Sequence, residues 1–230
     1  MRALDAALER RAPVLWWRDD DALAPTPALD RLLSLTGEVG APLTLAVIPE
    51  GATEALARRL EGTDVAVAVH GLAHRNHAPE GEKKAEFGAH RPLDALHADA
   101  ARGRARIEAL FGARALPLFV PPWNRMAEGF DPGTAVSAYG RRAPGGGRLD
   151  THWDPVDWRG SRSWDGRSVG RLAALMDDPA PIGLLTHHLM HDEALWEGIA
   201  ALVRHLTARG ARWAAPRDLI AGLAPPSQLA

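Results

Sequence analysis

Three consecutive aspartates, Asp19, Asp20 and Asp21, end an apolar segment that begins at Val14. Adjacent carboxylates repel one another, so the stability of a fold does not require them. One interpretation is a solvated acidic turn that caps the following helix, and the other is a functional cluster. Further residues that also end apolar, strand-like segments favour the functional interpretation: His70 with His74, Pro122 with Trp123, and His187 with His188.

The spacing of His70 and His74 places two imidazoles on one side of a helical turn. The chain contains no cysteine, so a metal would be held by histidine and carboxylate, which suits zinc or another borderline-to-hard divalent cation. The pair lacks the glutamate of the HExxH metalloprotease motif. His77 is a third candidate, although a solvated loop histidine is its more ordinary interpretation. We therefore predict that His70 and His74 are metal ligands.

The direction in which each side chain points is expected to decide the roles of the three aspartates and of His187 and His188. In an extended strand, Asp20 and Asp21 point to opposite sides, so one can face a metal while the other faces a nucleophilic water. Asp19 is then expected to face solvent or a helix N-terminus. His187 shares a strand face with Leu185 and is predicted to point into the site. Its neighbour His188 is expected to pack or to bond the backbone.

Tryptophan is abundant, with eight residues beside a single tyrosine. Broad apolar faces that carry one polar N–H suit the faces of sugar rings. Trp16 and Trp17 lie within a predicted strand and are expected to pack in the core. Trp123 and Trp158 lie in the candidate site segments that follow predicted strands, and they are predicted to form a substrate wall.

Predicted strands and helices alternate along the chain, without an internal repeat or a linker, which predicts one domain over residues 1–230. This rhythm favours a mostly parallel sheet covered by helices, either open or closed into a barrel. In both arrangements the active site lies at the carboxyl ends of the strands. Short helices are also expected within residues 75–88 and 124–147. The strands are predicted at 13–18, 43–48, 65–69, 116–120, 148–158 (running into a loop), 182–186 and 211–214.

Composition excludes several classes of function. The 230 residues are 46% hydrophobic and carry a net charge of −2, which gives no electrostatic case for nucleic acid or an anionic membrane surface. No apolar run reaches the length of about 18 residues that a membrane span needs. The charged N-terminus lacks the apolar core of a signal peptide, so a cytoplasmic location is expected. A homo-oligomer is left open.

Together, these motifs resemble the polysaccharide deacetylase family (NodB homology, carbohydrate esterase 4) over about residues 14–190. Residues 18–22 are similar to the family's Thr-Phe-Asp-Asp-Gly motif, and residues 70–74 to its His-Ser/Thr-x-x-His motif. Residues 119–123 resemble its Arg-Pro-Pro-aromatic segment. Asp157 and Trp158 are similar to the end of its Asp-x-x-Asp-Trp passage, and residues 185–187 resemble its closing Leu-x-His.

The resemblance implies a distorted (β/α) barrel and a metal-dependent hydrolase that removes N- or O-acetyl groups from a sugar or glycan. It also implies a divalent metal, with zinc expected and cobalt, manganese or nickel as alternatives. A backbone N–H near Trp123 is expected to stabilise the oxyanion. The implied roles are Asp20 as general base, His187 as general acid, Asp21, His70 and His74 as metal ligands, and Pro122, Trp123, Asp157 and Trp158 as substrate-binding residues.

Three positions depart from the family's pattern. Val120 stands where the family usually has an arginine that orients the catalytic aspartate, and Arg125 and Arg18 are candidates to replace it. Ala22 replaces a glycine, and Gly71 replaces a serine or threonine. Two alternative functions stay open: a small-molecule metal amidase on the same scaffold, which is consistent with a cytoplasmic location, and a non-catalytic carbohydrate-binding relative, which the missing arginine makes possible.

Overall fold

The computed structural model describes residues 1–140 and 147–223. The strands in chain order are β1 (Val14–Ala22), β2 (Leu43–Val47), β3 (Ala66–His70), β4 (Ala115–Val120), β5 (Ala135–Val136), β6 (Ile182–Thr186) and β7 (Arg212–Trp213). The helices are α1 (Arg2–Arg10), α2 (Pro27–Val39), α3 (Glu54–Arg59), α4 (Leu93–Phe111), α5 (Ser168–Leu175), α6 (Glu193–Ala208) and α7 (Pro216–Ala221).

The strands form one parallel sheet in the order β5-β4-β3-β2-β1-β6, and β7 pairs with the start of β1. Residues 148–153 lie between the two ends of this sheet. Arg148 and Thr151 form parallel bridges with the β5 side, and Trp153 forms one with Leu184 of β6. These bridges stand in place of the predicted strand over 148–158. The architecture confirms the predicted distorted (β/α) barrel of parallel strands covered by helices.

Local sequence signals account for where the main helices begin and end. Thr26 accepts a hydrogen bond from the backbone N–H of Leu29 (3.0 Å), and Gly40 ends α2 in the left-handed region at φ +64°. Asp192 caps α6 in the same way, through the N–H of Leu195 (2.8 Å). Of the helices in the described part of the chain, none is long and apolar enough to cross a membrane.

The buried residues separate into two clusters on opposite faces of the sheet. The larger cluster contains Trp17 and packs the sheet against the helices. The smaller one contains Trp16, Ala46, Ala68 and Val120, and it lies on the other face because successive strand residues alternate in direction. Trp16 and Trp17 are both fully buried, as expected. The smaller cluster fills the barrel interior below the carboxyl ends of the strands.

The predicted helix within residues 75–88 is absent, and that segment is a loop. The Asn76 side-chain oxygen accepts hydrogen bonds from the N–H groups of Ala78 and Ala85, both at 3.0 Å. Such side-chain bonds compete with helical hydrogen bonding. The helix predicted within 124–147 is likewise absent from the described part of that segment, while residues 141–146 lie outside the described residues.

Gly103 lies in the interior of α4, where a glycine is expected to weaken a helix. A Cβ at this position would lie 2.8 Å from the carbonyl oxygen of Gly71 and 3.2 Å from Pro49. The glycine is therefore required for close packing, because it lets α4 approach the turn that follows β3.

Gly183 in β6 is expected to tolerate no side chain. A Cβ would lie 2.7 Å from the Asp150 carbonyl oxygen, the Thr151 Cα and the Trp16 ring. Gly183→Ala should lower the free energy of unfolding by about 1–3 kcal/mol, measured by urea denaturation. The control is Gly37→Ala at an exposed position of α2, where no atom lies within 4 Å and a gain of up to about 1 kcal/mol is expected. Equal stabilities of the two variants would contradict this account of the packing.

Candidate active site

A cavity of about 460 Å³ opens at the carboxyl ends of β1, β3, β4 and β6. Seven of the nine predicted site residues line it, and Pro122 and Asp157 do not. The lining residues that were predicted are Asp20, Asp21, His70, His74, Trp123, Trp158 and His187.

Asp20 and Asp21 both reach this cavity, although an extended strand would direct them to opposite sides. Asp20 pairs with Ala46 and Ala22 pairs with Val47, so Asp21 is an extra residue in the register of β1. Its backbone lies in the left-handed region at φ +72°, a conformation that suits a bulge. The bulge corrects the simple alternation expected from sequence, because it turns two consecutive carboxylates toward one cavity.

Asp21, His70 and His74 bring three potential ligand atoms within 4.8 Å of one another. Asp21 Oδ1 lies 3.1 Å from His70 Nε2 and 3.5 Å from His74 Nε2. The His70 Nδ1 donates to the Val120 carbonyl oxygen at 3.0 Å, so in the neutral imidazole Nε2 presents a lone pair to Asp21. Electron-pair donors that face one another need a proton or a cation between them. The donor set of two imidazoles and one carboxylate therefore fits zinc or cobalt.

The pKa values within this trio diverge. Burial opposes ionisation of Asp21, but the hydrogen bond with His70 and the nearby imidazoles lower its pKa far below the usual value. Burial also opposes protonation of His70, yet its hydrogen bond with Asp21 and the charge of Asp20 raise its pKa. Burial and repulsion from His70 lower the pKa of His74. The trio therefore holds an ionised carboxylate beside one readily protonated and one readily neutral imidazole.

Arg18 forms a buried, bidentate ion pair with Asp20. Its Nε donates to Oδ1 at 2.8 Å and its Nη2 donates to Oδ2 at 3.0 Å, with the side chains only 3% and 6% exposed. The Arg18 Nη1 donates to the carbonyl oxygen (3.0 Å) and Oγ (2.5 Å) of Ser137. Arg125 instead donates to the Lys84 carbonyl oxygen. Of the two arginines considered from sequence, Arg18 is the one that contacts Asp20.

Arg18 also occupies the barrel face that Val120 occupies. Val120 belongs to the interior cluster with Trp16, and Arg18 and Asp20 share the strand face of Trp16 because they are two and four residues further along. Val120 on β4 stands where the family usually has an orienting arginine, and the positive charge is here supplied by Arg18 on β1.

Asp19 is fully buried, which corrects the expectation that it faces solvent or a helix N-terminus. One carboxylate oxygen accepts hydrogen bonds from Thr186 Oγ1 (2.6 Å) and the His188 backbone N–H (2.9 Å). The other accepts from His188 Nδ1 at 2.5 Å. The Trp17 indole N–H in turn donates to Thr186 Oγ1 at 2.9 Å. Asp19 therefore joins the end of β1 to the end of β6.

His187 faces the cavity and His188 turns away from it, as the strand alternation predicts. The Trp158 ring lies edge-on to the His187 ring, with centroids 5.0 Å apart. The His187 Nδ1 is buried and has no hydrogen-bond partner among the described residues. Trp158 therefore forms the cavity wall beside His187, and its own indole N–H donates to Asp154 Oδ2 at 2.8 Å.

Asp154, rather than the predicted Asp157, lines the cavity. Burial raises the pKa of Asp154 above its usual value. Asp157 instead organises the following turn, where its carbonyl oxygen accepts from Arg162 N–H (3.0 Å) and its carboxylate from Ser161 N–H (3.4 Å). The prediction of Asp157 as a cavity residue is thus corrected, because the turn it closes directs its side chain elsewhere.

Pro122 is buried behind the cavity, where its ring packs against Gly71, and its neighbour Pro121 lines the cavity instead. Trp123 has a left-handed backbone, at φ +52°, and its ring lies 4.2 Å from the His74 ring between centroids. The two cavity tryptophans therefore flank different histidines, Trp123 beside His74 and Trp158 beside His187.

Asn124 and Tyr139 line the cavity but were not predicted from sequence. The Asn124 side chain donates to the Tyr139 carbonyl oxygen (3.0 Å) and accepts from its N–H (2.6 Å). Both lie in an irregular segment without periodicity, so no sequence signal pointed to them. Asp154 had one available signal, since it is the first aspartate of the Asp-x-x-Asp-Trp passage.

The sequence matches no protein-family model and no curated relative. Solved structures are similar to the chain in fold at low sequence identity. A family 4 acetyl xylan esterase from Clostridium thermocellum, in complex with a cobalt ion, has a TM-score of 0.64 and 16% identity, covering 94% of this chain and 95% of its own.

Two further solved structures are similar to the chain in fold. The peptidoglycan deacetylase PdaC from Bacillus subtilis has a TM-score of 0.59 and 17% identity, covering 92% of both chains. A putative polysaccharide deacetylase from Mycobacterium smegmatis has a TM-score of 0.62 and 14% identity, covering 92% of this chain and 90% of its own. The resemblance predicted from the motifs is thereby confirmed at the level of architecture: the chain has the polysaccharide deacetylase fold.

Proposed function

We propose that the chain is a metal-dependent hydrolase that removes acetyl groups from an N- or O-acetylated sugar or glycan. The observation that carries the proposal is the position of the buried Arg18–Asp20 pair beside Asp21, His70 and His74 in one cavity. The polysaccharide deacetylase fold supports the reaction class, since structures that share it are described as esterases and deacetylases.

Asp21, His70 and His74 are the residues proposed to hold a divalent cation, with zinc or cobalt the best match to two nitrogens and one oxygen. When bound, such a cation supplies Lewis acidity, which polarises an acyl carbonyl and acidifies water. The hydrogen bond from His70 Nδ1 to Val120 orients the ring for this task, as outer partners of metal-binding histidines generally do.

Asp20 is proposed as the general base that takes a proton from the attacking water. Arg18 fixes both of its carboxylate oxygens, so the side chain is held in one orientation before substrate arrives. This pair argues against a non-catalytic relative, because that alternative depended on the loss of the orienting arginine.

His187 is proposed as the general acid that protonates the leaving amine or alcohol. It reaches the cavity from the end of β6, where its ring lies beside the ring of Trp158. Trp123 and Trp158 provide aromatic faces on which a sugar ring can stack. A backbone N–H near Trp123 is proposed to stabilise the developing oxyanion.

Acetate release is the experiment that tests the function. The protein is supplied with zinc, cobalt or manganese and offered acetylated xylan, peptidoglycan, N-acetylglucosamine oligomers and simple N-acetyl amides. Turnover of glycans supports the proposal, whereas turnover of the simple amides alone identifies a small-molecule amidase. Sugar binding without any turnover identifies a non-catalytic relative.

Substitutions should separate metal ligands from proton-transfer groups. Asp21→Asn, His70→Ala and His74→Ala should each weaken metal binding so far that the metal is removed by dialysis, measured by elemental analysis. Asp20→Asn and His187→Ala should keep it and lose turnover by about 10²–10⁴-fold, because each removes only a proton-transfer group.

His77→Ala is the matched control for the ligand variants, because His77 is exposed and lies in the loop that follows His74. It should keep both metal and turnover. A wild-type protein that binds no metal under any loading would overturn the proposed site.

Arg18→Met should reduce kcat by about 100-fold while the metal content stays at the wild-type level, since a base displaced by about 1 Å loses that much rate. Arg18→Lys should recover only part of the loss, because an ammonium cannot bind both carboxylate oxygens in the same plane. Arg125→Met is the control and should leave kcat unchanged. Full activity in Arg18→Met would show that Asp20 needs no orienting cation.

Metal affinity should fall as the pH decreases. The pKa of His70 is raised in the metal-free protein, so below that pKa a proton competes for Nε2 and must be displaced. We expect affinity to drop by about tenfold per pH unit on the acidic side and to level off at high pH. Calorimetric titrations with Co²⁺ between pH 5.5 and 8.5 measure this, and a flat profile would contradict the role of His70 as a ligand.

A further inference from the structure

Glu86 is a buried carboxylate that the proposed reaction does not use. Its side chain accepts three backbone hydrogen bonds: Oε2 from Leu72 N–H at 3.1 Å, and Oε1 from Ala73 N–H at 2.8 Å and Arg75 N–H at 3.3 Å. Glu86 is 1% exposed, and no Lys, Arg or His among the described residues forms an ion pair with it. A buried charge is costly unless its oxygens are fully hydrogen-bonded, so this carboxylate is closely matched to the turn it contacts.

The turn that Glu86 holds is the one that presents His74. Gly71 and His74 both have left-handed backbones, at φ +61° and φ +54°, and the latter is unfavourable for a residue with a side chain. Left-handed residues within a turn direct successive N–H groups to one side and create a concave anion site. Here the chain fills that site with its own glutamate.

Packing closes the same turn from two further sides. A Cβ at Gly71 would collide with Glu86 Oε2 and lie 2.5 Å from the Pro122 ring. The Gly71 carbonyl oxygen lies against α4, where it would be 2.8 Å from a Cβ at Gly103. This explains why position 71 is a glycine rather than the serine or threonine of the family pattern: Glu86 occupies the space.

The three proposed metal ligands differ in how strongly the barrel fixes them. His70 belongs to β3 and Asp21 to the bulge of β1, and both strands are paired on both sides, whereas His74 lies in the turn after β3. The position of His74 Nε2 therefore depends on the conformation of residues 71–75. That conformation needs outside support, because a left-handed backbone is strained for a residue that carries a side chain.

We propose that Glu86 is a positioning residue for the metal site: its carboxylate holds the turn over residues 71–75 so that His74 faces Asp21 and His70. This inference rests on the proposed function, in that it takes these three residues as the metal ligands. It assigns Glu86 no contact with metal or substrate.

The test compares metal affinities rather than activities. Glu86→Gln keeps the size of the side chain but sets an amide NH₂ against backbone N–H groups, so Co²⁺ should bind about 10–100-fold more weakly than in wild type, as for other outer partners of metal ligands. Chelator competition measures the affinity, and the visible spectrum of bound Co²⁺ reports the ligand geometry. Glu80→Gln, an exposed position of the same loop, is the control and should match wild type.

A second comparison separates positioning from general destabilisation. In a His74→Ala background, Glu86→Gln should cause no further loss of Co²⁺ affinity, because its effect acts through His74. A general loosening of the barrel would weaken the residual binding in that background too, and would overturn the proposal.

If Glu86→Gln does not fold, as judged by circular dichroism, Glu86→Asp is the second variant. It keeps the charge but withdraws both oxygens by one methylene, and it should also weaken Co²⁺ binding. Wild-type Co²⁺ affinity in either folded variant would overturn the positioning role of Glu86 but leave the proposed function standing. Absence of Co²⁺ binding by the wild-type protein would overturn both this inference and the proposed function.

Discussion

The end of β1 places three consecutive carboxylates at the mouth of a packed barrel, and each of them needs a compensating partner there. Two are almost fully buried and the third is partly buried, and unpaired charges in such positions are costly. Asp19 is compensated by His188 and Thr186, and Asp20 by Arg18. Asp21 faces two imidazoles. The layout of the cavity follows from this requirement, since each partner comes from a different place in the fold.

The architecture was predictable because it depends on periodicity. Buried strands separated by capped helices indicate a parallel sheet, and in such a sheet the residues that follow each strand meet at one edge. That rule brought Asp21, His70, His74 and His187 together correctly. The direction of His187 followed from alternation along β6, where side chains face opposite sides in turn.

The remainder of the site depends on departures from regular geometry, which carry no periodic signal. A single extra residue in β1 turns Asp21 into the cavity beside Asp20. The turn after Asp157 directs that side chain away and leaves Asp154 at the wall. The insertion of Glu86 depends on the path of an irregular loop. In each case a local backbone conformation, rather than residue type, decides where the carboxylate points.

The pairing of Arg18 with Asp20 joins two residues that are neighbours on the same face of one strand. An orienting group supplied by a different strand depends on the register between the two strands, and so on every substitution that shifts it. Here the relative position of Arg18 and Asp20 is set by the pleat of β1 alone. One short segment of the gene, which encodes residues 18–21, therefore specifies both the proposed base and the arginine that orients it. The side chain at position 120, at the end of β4, can therefore change without disturbing the orientation of Asp20.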